Sequence, residues 1–427
     1  MSAVPDRLTE ELRPPLSAAE AAVEADRCLD CRGGAAPAPC TVACPADVDV
    51  PAFVAALAAG DPAAAAATIF EENLLGGTCA RVCPVEVLCQ ASCVLAHEGR
   101  RPIEIGALQR YATDWAFAND LELRAAAPPN GRRATVVGAG PAGLAAAGEL
   151  AALGYAVTVV DERKQPGGLV RYAIAPYRQT EEPLPAEVDA LRRLGVAFVF
   201  GVRVDRARLD ELISICDAVV LAVGMGADVQ LHYEGEELEG VWDSLPFIER
   251  LKTGAAPPVG RRVAVIGGGN TAVDVAVEAK RLGAEVSLLL YRRTEAEMPA
   301  YHHEVELARR EGVTIHFLVN PVAFVGETHV EGVRCALMRL GAPDGSGRRR
   351  PEPVPGSEFV IPVDTVVKAI GQEPRAEFAD LLATVDDAGR TANPKVFAAG
   401  DAANGGASVV QAVREAKRAV RAIEESR

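Results

Sequence analysis

One pattern occurs twice in this chain: an apolar strand, a glycine cluster, a helix and a second apolar strand. The first copy begins Ala134-Thr-Val-Val-Gly138-Ala139-Gly140-Pro141-Ala142-Gly143 and closes on Val157-Thr-Val-Val-Asp161. The second begins Val263-Ala-Val-Ile-Gly267-Gly268-Gly269-Asn270-Thr271-Ala272 and closes on Val286-Ser-Leu-Leu-Leu290. A glycine triplet alone says little. After a strand, at a helix start, and with a second strand at the right distance, it marks a βαβ unit whose backbone can approach a pyrophosphate. The unpaired N–H groups of the helix N-terminus then face the anion. From Ala134 onward, buried strands alternate with helices, which predicts an α/β fold with parallel sheets.

The end of the second strand selects the ribose. In the first copy it is Asp161, with Glu162 beside it, and a carboxylate there accepts hydrogen bonds from ribose hydroxyls. In the second copy the equivalent position is Leu290, and Arg292 and Arg293 follow. Missing acid and added guanidinium suit a 2′-phosphate, so this site leans toward NADP(H) over NAD(H). The first site is assigned to FAD. Gly167-Gly168-Leu169, shortly after Asp161, supplies a further close-approach turn.

Eight of the ten cysteines lie within the first 93 residues, in two blocks. The first is Cys28-x2-Cys31-x8-Cys40-x3-Cys44-Pro, and the second is Cys79-x3-Cys83-Pro-x4-Cys89-x3-Cys93. So many thiols, with no secretion signal ahead of them, argue for metal rather than disulfides. The Cys-Pro step resembles that of bacterial two-cluster ferredoxins, where the cysteine before proline serves the other cluster. Two 4Fe–4S clusters are therefore expected. The alternative is a pair of structural zinc sites, which would add folding energy and no electron path. Two dinucleotide units downstream favour the clusters.

A chain of 427 residues has room for two or three domains. Its net charge of −15 argues against a nucleic-acid role, which needs a basic footprint. The most apolar early stretch, Ala52 to Phe70, is broken by Gly60-Asp61-Pro62. It reads as two short helices, 51–59 and 62–72, rather than a membrane span. A cytoplasmic protein is expected. A third helix is predicted over Ile105 to Ala118, and Arg124 to Arg133, with Pro128-Pro129-Asn130-Gly131, reads as a linker. Glu304 and Glu306 read as a solvated helix face. The six histidines form no evident ligand cluster.

With both halves in view, the chain resembles, over nearly its whole length, a known family of iron–sulfur flavoproteins. This group includes the glutamate synthase small subunit, the N-terminal half of dihydropyrimidine dehydrogenase and flavin subunits of aldehyde or 2-oxoacid oxidoreductase complexes. The second cysteine block, with Ile103-Glu-Ile-Gly-Ala-Leu-Gln109, looks most like the dihydropyrimidine dehydrogenase type. The chain looks somewhat short for a glutamate synthase small subunit. The resemblance implies a helical iron–sulfur domain over 1–127, an FAD domain over 128–255 and 372–427, and an inserted NAD(P)H domain over 256–371. It implies that Arg178 and the turn Ala369-Ile370-Gly371 border the cofactors. It implies that Gly400-Asp401 and Ala407-Ser408-Val409 face the flavin. It further implies one cluster on Cys28, Cys31, Cys40 and Cys93, and another on Cys44, Cys83, Cys89 and Gln109, with Cys79 as the rival to Gln109. Disulfide reductases of related fold keep a cysteine pair near the flavin, but here only Cys216 and Cys335 remain, isolated in apolar sequence. The expected role is an NAD(P)H:acceptor oxidoreductase subunit passing electrons between NAD(P)H, FAD, two clusters and a catalytic partner subunit. The alternatives are a self-sufficient reductase of ferredoxin, quinone or a small acceptor, and a zinc-bearing assembly protein.

Overall fold

The computed structural model describes residues 6–32, 37–345 and 347–426. The Gly33-Gly34 stretch that lengthens the first cysteine block lies outside the described residues. Upstream of the linker the chain is helical, and its helices start where local chemistry says they should. Ser17 and Glu20 form a reciprocal capping box on Ala18–Asp26. Asp49 and Asp61 cap Val50–Ala58 and Pro62–Glu72, each with proline in the first turn. The short helix Gly76–Val82 carries Cys79, and Ile105–Ala118 packs on it and on Pro62–Glu72.

The first glycine pattern builds a five-stranded parallel sheet. Its strands are β1 (Arg133–Val137), β2 (Ala156–Asp161), β3 (Ala197–Phe200), β4 (Ala218–Leu221) and, from the far end of the chain, β14 (Val396–Ala398). Their order is β14-β4-β1-β2-β3. The crossover helix Pro141–Ala152 and the C-terminal helix Val409–Glu425 pack against each other. Val219, Leu221, Leu209 and Val396 form part of the core beside this sheet.

The second pattern builds another five-stranded parallel sheet, ordered β5-β13-β6-β7-β8. These strands are β5 (Val241–Asp243), β6 (Arg262–Ile266), β7 (Val286–Tyr291), β8 (Thr314–Phe317) and β13 (Thr365–Lys368). The sequence pattern missed a smaller antiparallel sheet formed by β9 (Val319–Val325), β10 (Gly332–Pro343), β11 (Arg349–Pro353) and β12 (Phe359–Pro362).

The chain divides into two compact units. One joins 11–171, 181–225 and 374–427, so the cysteine-bearing helices and the first sheet belong together. The other holds 172–180 and 226–373, with the segment up to Glu10. The sequence reading starts the inserted domain at residue 256. In the structure residues 226–255 pack with the second sheet, because β5 extends it by pairing with β13.

Candidate functional site

In the first sheet, β1 runs directly into the loop Gly138–Gly140, and Pro141–Ala152 starts there with Gly140 as its N-cap. Gly138 has φ +107°, and a Cβ on it would stand 2.2 Å from the Ala222 carbonyl oxygen. That glycine is required by the neighbouring strand. Gly143 plays the packing role, since its Cβ would come 1.9 Å from the Gly138 oxygen. Gly140 differs: a Cβ there would meet only Gly168, at 3.8 Å. The loop therefore presents an open backbone cradle flanked by the 167–168 turn, which fits a pyrophosphate.

Around this cradle the structure gathers Asp161, Gly168 and Gly400. Asp161 accepts from the Ala139 N–H at 2.6 Å, and burial raises its pKa. Glu162 pairs with Arg375 at 2.7 Å. A Cβ on Gly400 would come 2.7 Å from the Cβ of Ala142, so the Gly400-Asp401 turn sits at the start of the same helix. Asp401 accepts from Ala407, and Ser408 caps the helix that begins at Val409. Leu169 is exposed beside the turn.

The second cradle repeats the arrangement in the other unit. Gly267 abuts the Ala369 oxygen, where a Cβ would stand at 2.2 Å, which places the 369–371 turn beside this loop. Gly268 lies on the Tyr291 ring, and Gly269 has open space around it. The helix Asn270–Arg281 starts here, with Thr271 exposed and Ala272 buried. The Asn270 side chain accepts from the Tyr301 N–H. Arg292 is exposed at the end of β7. Arg293 is not available in the same way: it is 5% exposed and donates to the Arg349 carbonyl and to Asp344, at 2.8 and 2.7 Å.

Arg178 lies against the helix Asn270–Arg281, but its guanidinium is engaged by carboxylates. It donates to Asp274 at 2.6–3.1 Å and to Glu304 at 2.7 Å. Tyr177 completes the group with a 2.7 Å hydrogen bond to Asp274. This corrects the reading of Glu304 as solvated, since it is 5% exposed. Although burial opposes the charge, hydrogen bonds from His303 and Arg178 hold the Glu304 carboxyl down to about 2. Glu306 is half-buried and pairs with Arg309 at 2.6 Å. His302, Glu295 and Glu306 bring donor atoms within 4.8 Å of one another, yet Arg309 already bonds both carboxylates.

The cysteines fall into two sets that cross the sequence blocks. Cys28, Cys31, Cys40 and Cys93 line one pocket with Pro39, Val50 and Ile105. Burial raises the Cys28 thiol and pushes Cys40 up to about 12. Cys44, Cys79, Cys83 and Cys89 neighbour one another in the second set. A hydrogen bond with Cys79, reinforced by burial, drives Cys83 well up, and burial pushes Cys89 up to about 12. Desolvated thiols packed this closely cannot ionise together unless a positive centre joins them. The donor chemistry fits an iron–sulfur site. Among the described residues no three cysteine sulfurs lie within 4.8 Å of one another. A single zinc holding sulfur at about 2.3 Å would draw four of them to a spacing of roughly 3.8 Å. Gln109 is half-buried, and its amide donates to the Gly76 carbonyl at 2.7 Å, at the start of the helix that carries Cys79. Cys216 and Cys335 are buried and free.

Two buried charged residues tie the first sheet's helices to the cysteine region, and the sequence reading singled out neither. Glu187 is 1% exposed and accepts from the N–H and hydroxyl of Thr78, at 2.8 and 2.6 Å. Lys417 is 8% exposed and reaches Ala46 and Glu72.

Residues 132–416 match the pyridine nucleotide-disulphide oxidoreductase family. The chain belongs to that family. Residues 6–121 match the 4Fe-4S cluster domain II of dihydropyrimidine dehydrogenase. The NADP(+)-dependent formate dehydrogenase subunit beta of Moorella thermoacetica is 38% identical over 91% of this chain, which spans 60% of that relative's length. The glutamate synthase [NADPH] small chain of Halomonas elongata is 34% identical over 96% of this chain and 91% of its own length. Among solved structures, Mycobacterium tuberculosis FprA in complex with NADPH shares the fold, with a TM-score of 0.57 at 20% identity over 70% of this chain and 85% of its own. As a member of this family with an iron–sulfur domain, the protein is an FAD-dependent NAD(P)H oxidoreductase. Among the described residues no helix is long and apolar enough to cross a membrane.

Proposed function

We propose that this protein is the electron-transfer subunit of a cytoplasmic redox complex, linking NADP(H) through FAD and two 4Fe–4S clusters to a catalytic partner subunit. One observation carries the reading: both cysteine sets share a compact unit with the first dinucleotide cradle. The relatives support a partner, because two of them are a formate dehydrogenase subunit and a glutamate synthase chain.

FAD would lie on Gly138–Gly143, with Asp161 toward its ribose and Gly400-Asp401 and Ala407–Val409 toward its pyrophosphate and ribityl chain. The nicotinamide nucleotide would lie on Gly267–Ala272, with Arg292 beside the adenosine ribose and Ala369–Gly371 along the loop. When bound, FAD supplies exchange of a hydride on one side and of single electrons on the other, and the clusters supply single-electron steps. The chain's own residues have a different task. The glycine loops hold the pyrophosphates, Asp161 and Arg292 select the riboses, and the cysteines fix the iron. Cys28, Cys31, Cys40 and Cys93 would hold one cluster; Cys44, Cys83 and Cys89 would hold the other, completed by Gln109 or Cys79. No side chain is required as a general acid or nucleophile.

Anaerobic purification with iron, sulfide, zinc and flavin analysis, followed by NADPH and NADH titration under EPR, tests the proposal. About eight irons and one FAD per chain, with reduced-cluster signals on adding NADPH, is the expected result. Bleached flavin with silent clusters would instead mean that electrons arrive from the partner and leave as NAD(P)H. Zinc without iron would overturn the proposal.

A further inference from the structure

The C-terminal helix Val409–Glu425 follows the Gly400-Asp401 turn and packs on the crossover helix of the first cradle. Its buried face is built from Val410, Val413, Ala416 and Val420, and Lys417 stands on that apolar stripe. A lysine there has to bring its charge to a partner, because a buried unpaired ammonium is costly. Lys417 donates to the Ala46 carbonyl at 2.8 Å, to the Glu72 carbonyl at 3.2 Å and to the Glu72 carboxylate at 2.5 Å.

Ala46 is no ordinary loop residue. It follows Cys44-Pro45, and the backbone N–H groups of Ala46 and Val48 point at the Cys44 sulfur. Between them Asp47 has φ +64°, a conformation that non-glycine residues adopt rarely and that needs support from its surroundings. The Asp47 N–H closes a turn on the Cys44 carbonyl. Lys417 grips the outer side of this turn while the inner side faces sulfur. Hydrogen bonds to cluster sulfurs and nearby charge are the protein's main controls on cluster potential.

We infer that Lys417 is a positioning residue that locks the flavin-bearing helix to the Cys44 turn and raises the potential of the cluster that Cys44 serves. The inference rests on the iron–sulfur reading above. It holds for either fourth ligand, because Cys44 belongs to that cluster in both. Lys417 and Glu72 act with opposite sign. Removing the ammonium leaves Glu72 uncompensated near the cluster and should lower the potential. Removing the Glu72 charge leaves the ammonium unopposed and should raise it.

The test uses the full chain carrying both clusters and FAD, with Lys417→Met, Lys417→Arg and Glu72→Gln compared by EPR-monitored redox titration. For Lys417→Met, the reduced-to-oxidised ratio of one cluster should fall about tenfold at fixed potential, a shift of roughly 59 mV for one electron. The other cluster should not move. Lys417→Arg should restore most of the loss, and Glu72→Gln should shift the same cluster upward. Iron and flavin content, measured in each variant, separates lost assembly from altered potential. If iron is retained and both potentials ignore the substitutions, or if Lys417→Met and Glu72→Gln move one in the same direction, the inference is wrong. Should Lys417→Met fail to assemble, the upward shift in Glu72→Gln still decides, since a role in folding alone would not produce it. A wild-type chain holding zinc and no iron overturns this inference and the proposed function together; unmoved potentials in an iron-loaded chain overturn this inference alone.

Discussion

Replacing Arg178 by methionine should destabilise the nicotinamide unit without emptying the flavin site. The guanidinium bridges two carboxylates that have little access to water: Asp274 is 8% exposed and Glu304 is 5% exposed. Methionine fills much of the same volume, so packing loss is small and the main effect is electrostatic. Removing one partner of a buried pair typically costs about 3–5 kcal/mol, because the remaining charge stays buried. Glu304 gives an independent figure. Its carboxyl is held at about 2 against an ordinary 4.5, and roughly 1.36 kcal/mol per unit makes about 3 kcal/mol, shared between His303 and Arg178. A loss of about 2–4 kcal/mol follows. With a urea dependence of about 2 kcal/mol per molar, the midpoint should fall by roughly 1–2 M. The two tryptophans make the assay local, since Trp242 lies in this unit and Trp115 in the other. In a Trp115→Phe background, Trp242 fluorescence reports the nicotinamide unit alone. Adding Glu304→Gln to Arg178→Met should recover part of the loss by removing one stranded charge. A midpoint within about 0.3 M of the parent would refute the reasoning, and so would a double variant less stable than the single one.

Other expectations follow from the same geometry. Glu187 is buried to the point that its carboxyl rises to about 7 from 4.5, so the folded chain holds that proton more tightly than the unfolded chain. Its stabilisation is therefore full below about pH 4 and is lost as pH rises through 7; Glu187→Gln should flatten the decline between pH 5 and 8 by roughly 3 kcal/mol, read by Trp115 in a Trp242→Phe background. Cys79→Ser should keep both clusters by iron and sulfide analysis if Gln109 completes the second set, whereas Gln109→Ala should then lose one; the reverse pattern would assign Cys79. Arg292→Gln should weaken NADPH by about 10- to 100-fold in kcat/KM, as expected for a charge-assisted hydrogen bond of about 1.5–3 kcal/mol, and leave NADH unchanged. An equal loss with both nucleotides would remove Arg292 from the 2′-phosphate.

What the sequence revealed and what it hid divide along a physical line. Strands, glycine loops and helix starts were legible because each depends on residues a few positions apart: Pro51 and Pro62 in the first turns of their helices, Gly138 before Gly143. The domain boundary was not, because β5 is only three residues long and gains its meaning from pairing with β13, more than a hundred residues later. The antiparallel β9–β12 sheet escaped for a related reason, since its edge strands are half-exposed and carry no clean alternation. The charged residues that matter most were hidden in another way. Glu304 looked solvated because its partner, Arg178, stands 126 residues away. Yet a local signal existed for two others. Glu187 shares a face with Leu184, Val188 and Leu191, and Lys417 shares one with Val410, Val413 and Val420. A charge on an apolar stripe must find a partner or be expelled. Both found theirs in the cysteine region, at Thr78 and Ala46. Sequence could therefore flag these positions as places where two parts of the chain are joined, though only the fold could say which parts. Their common destination shows that the first sheet's helices and the cysteine helices are joined by polar contacts beside the second set of thiols, at the helix that carries Cys79 and the turn that follows Cys44.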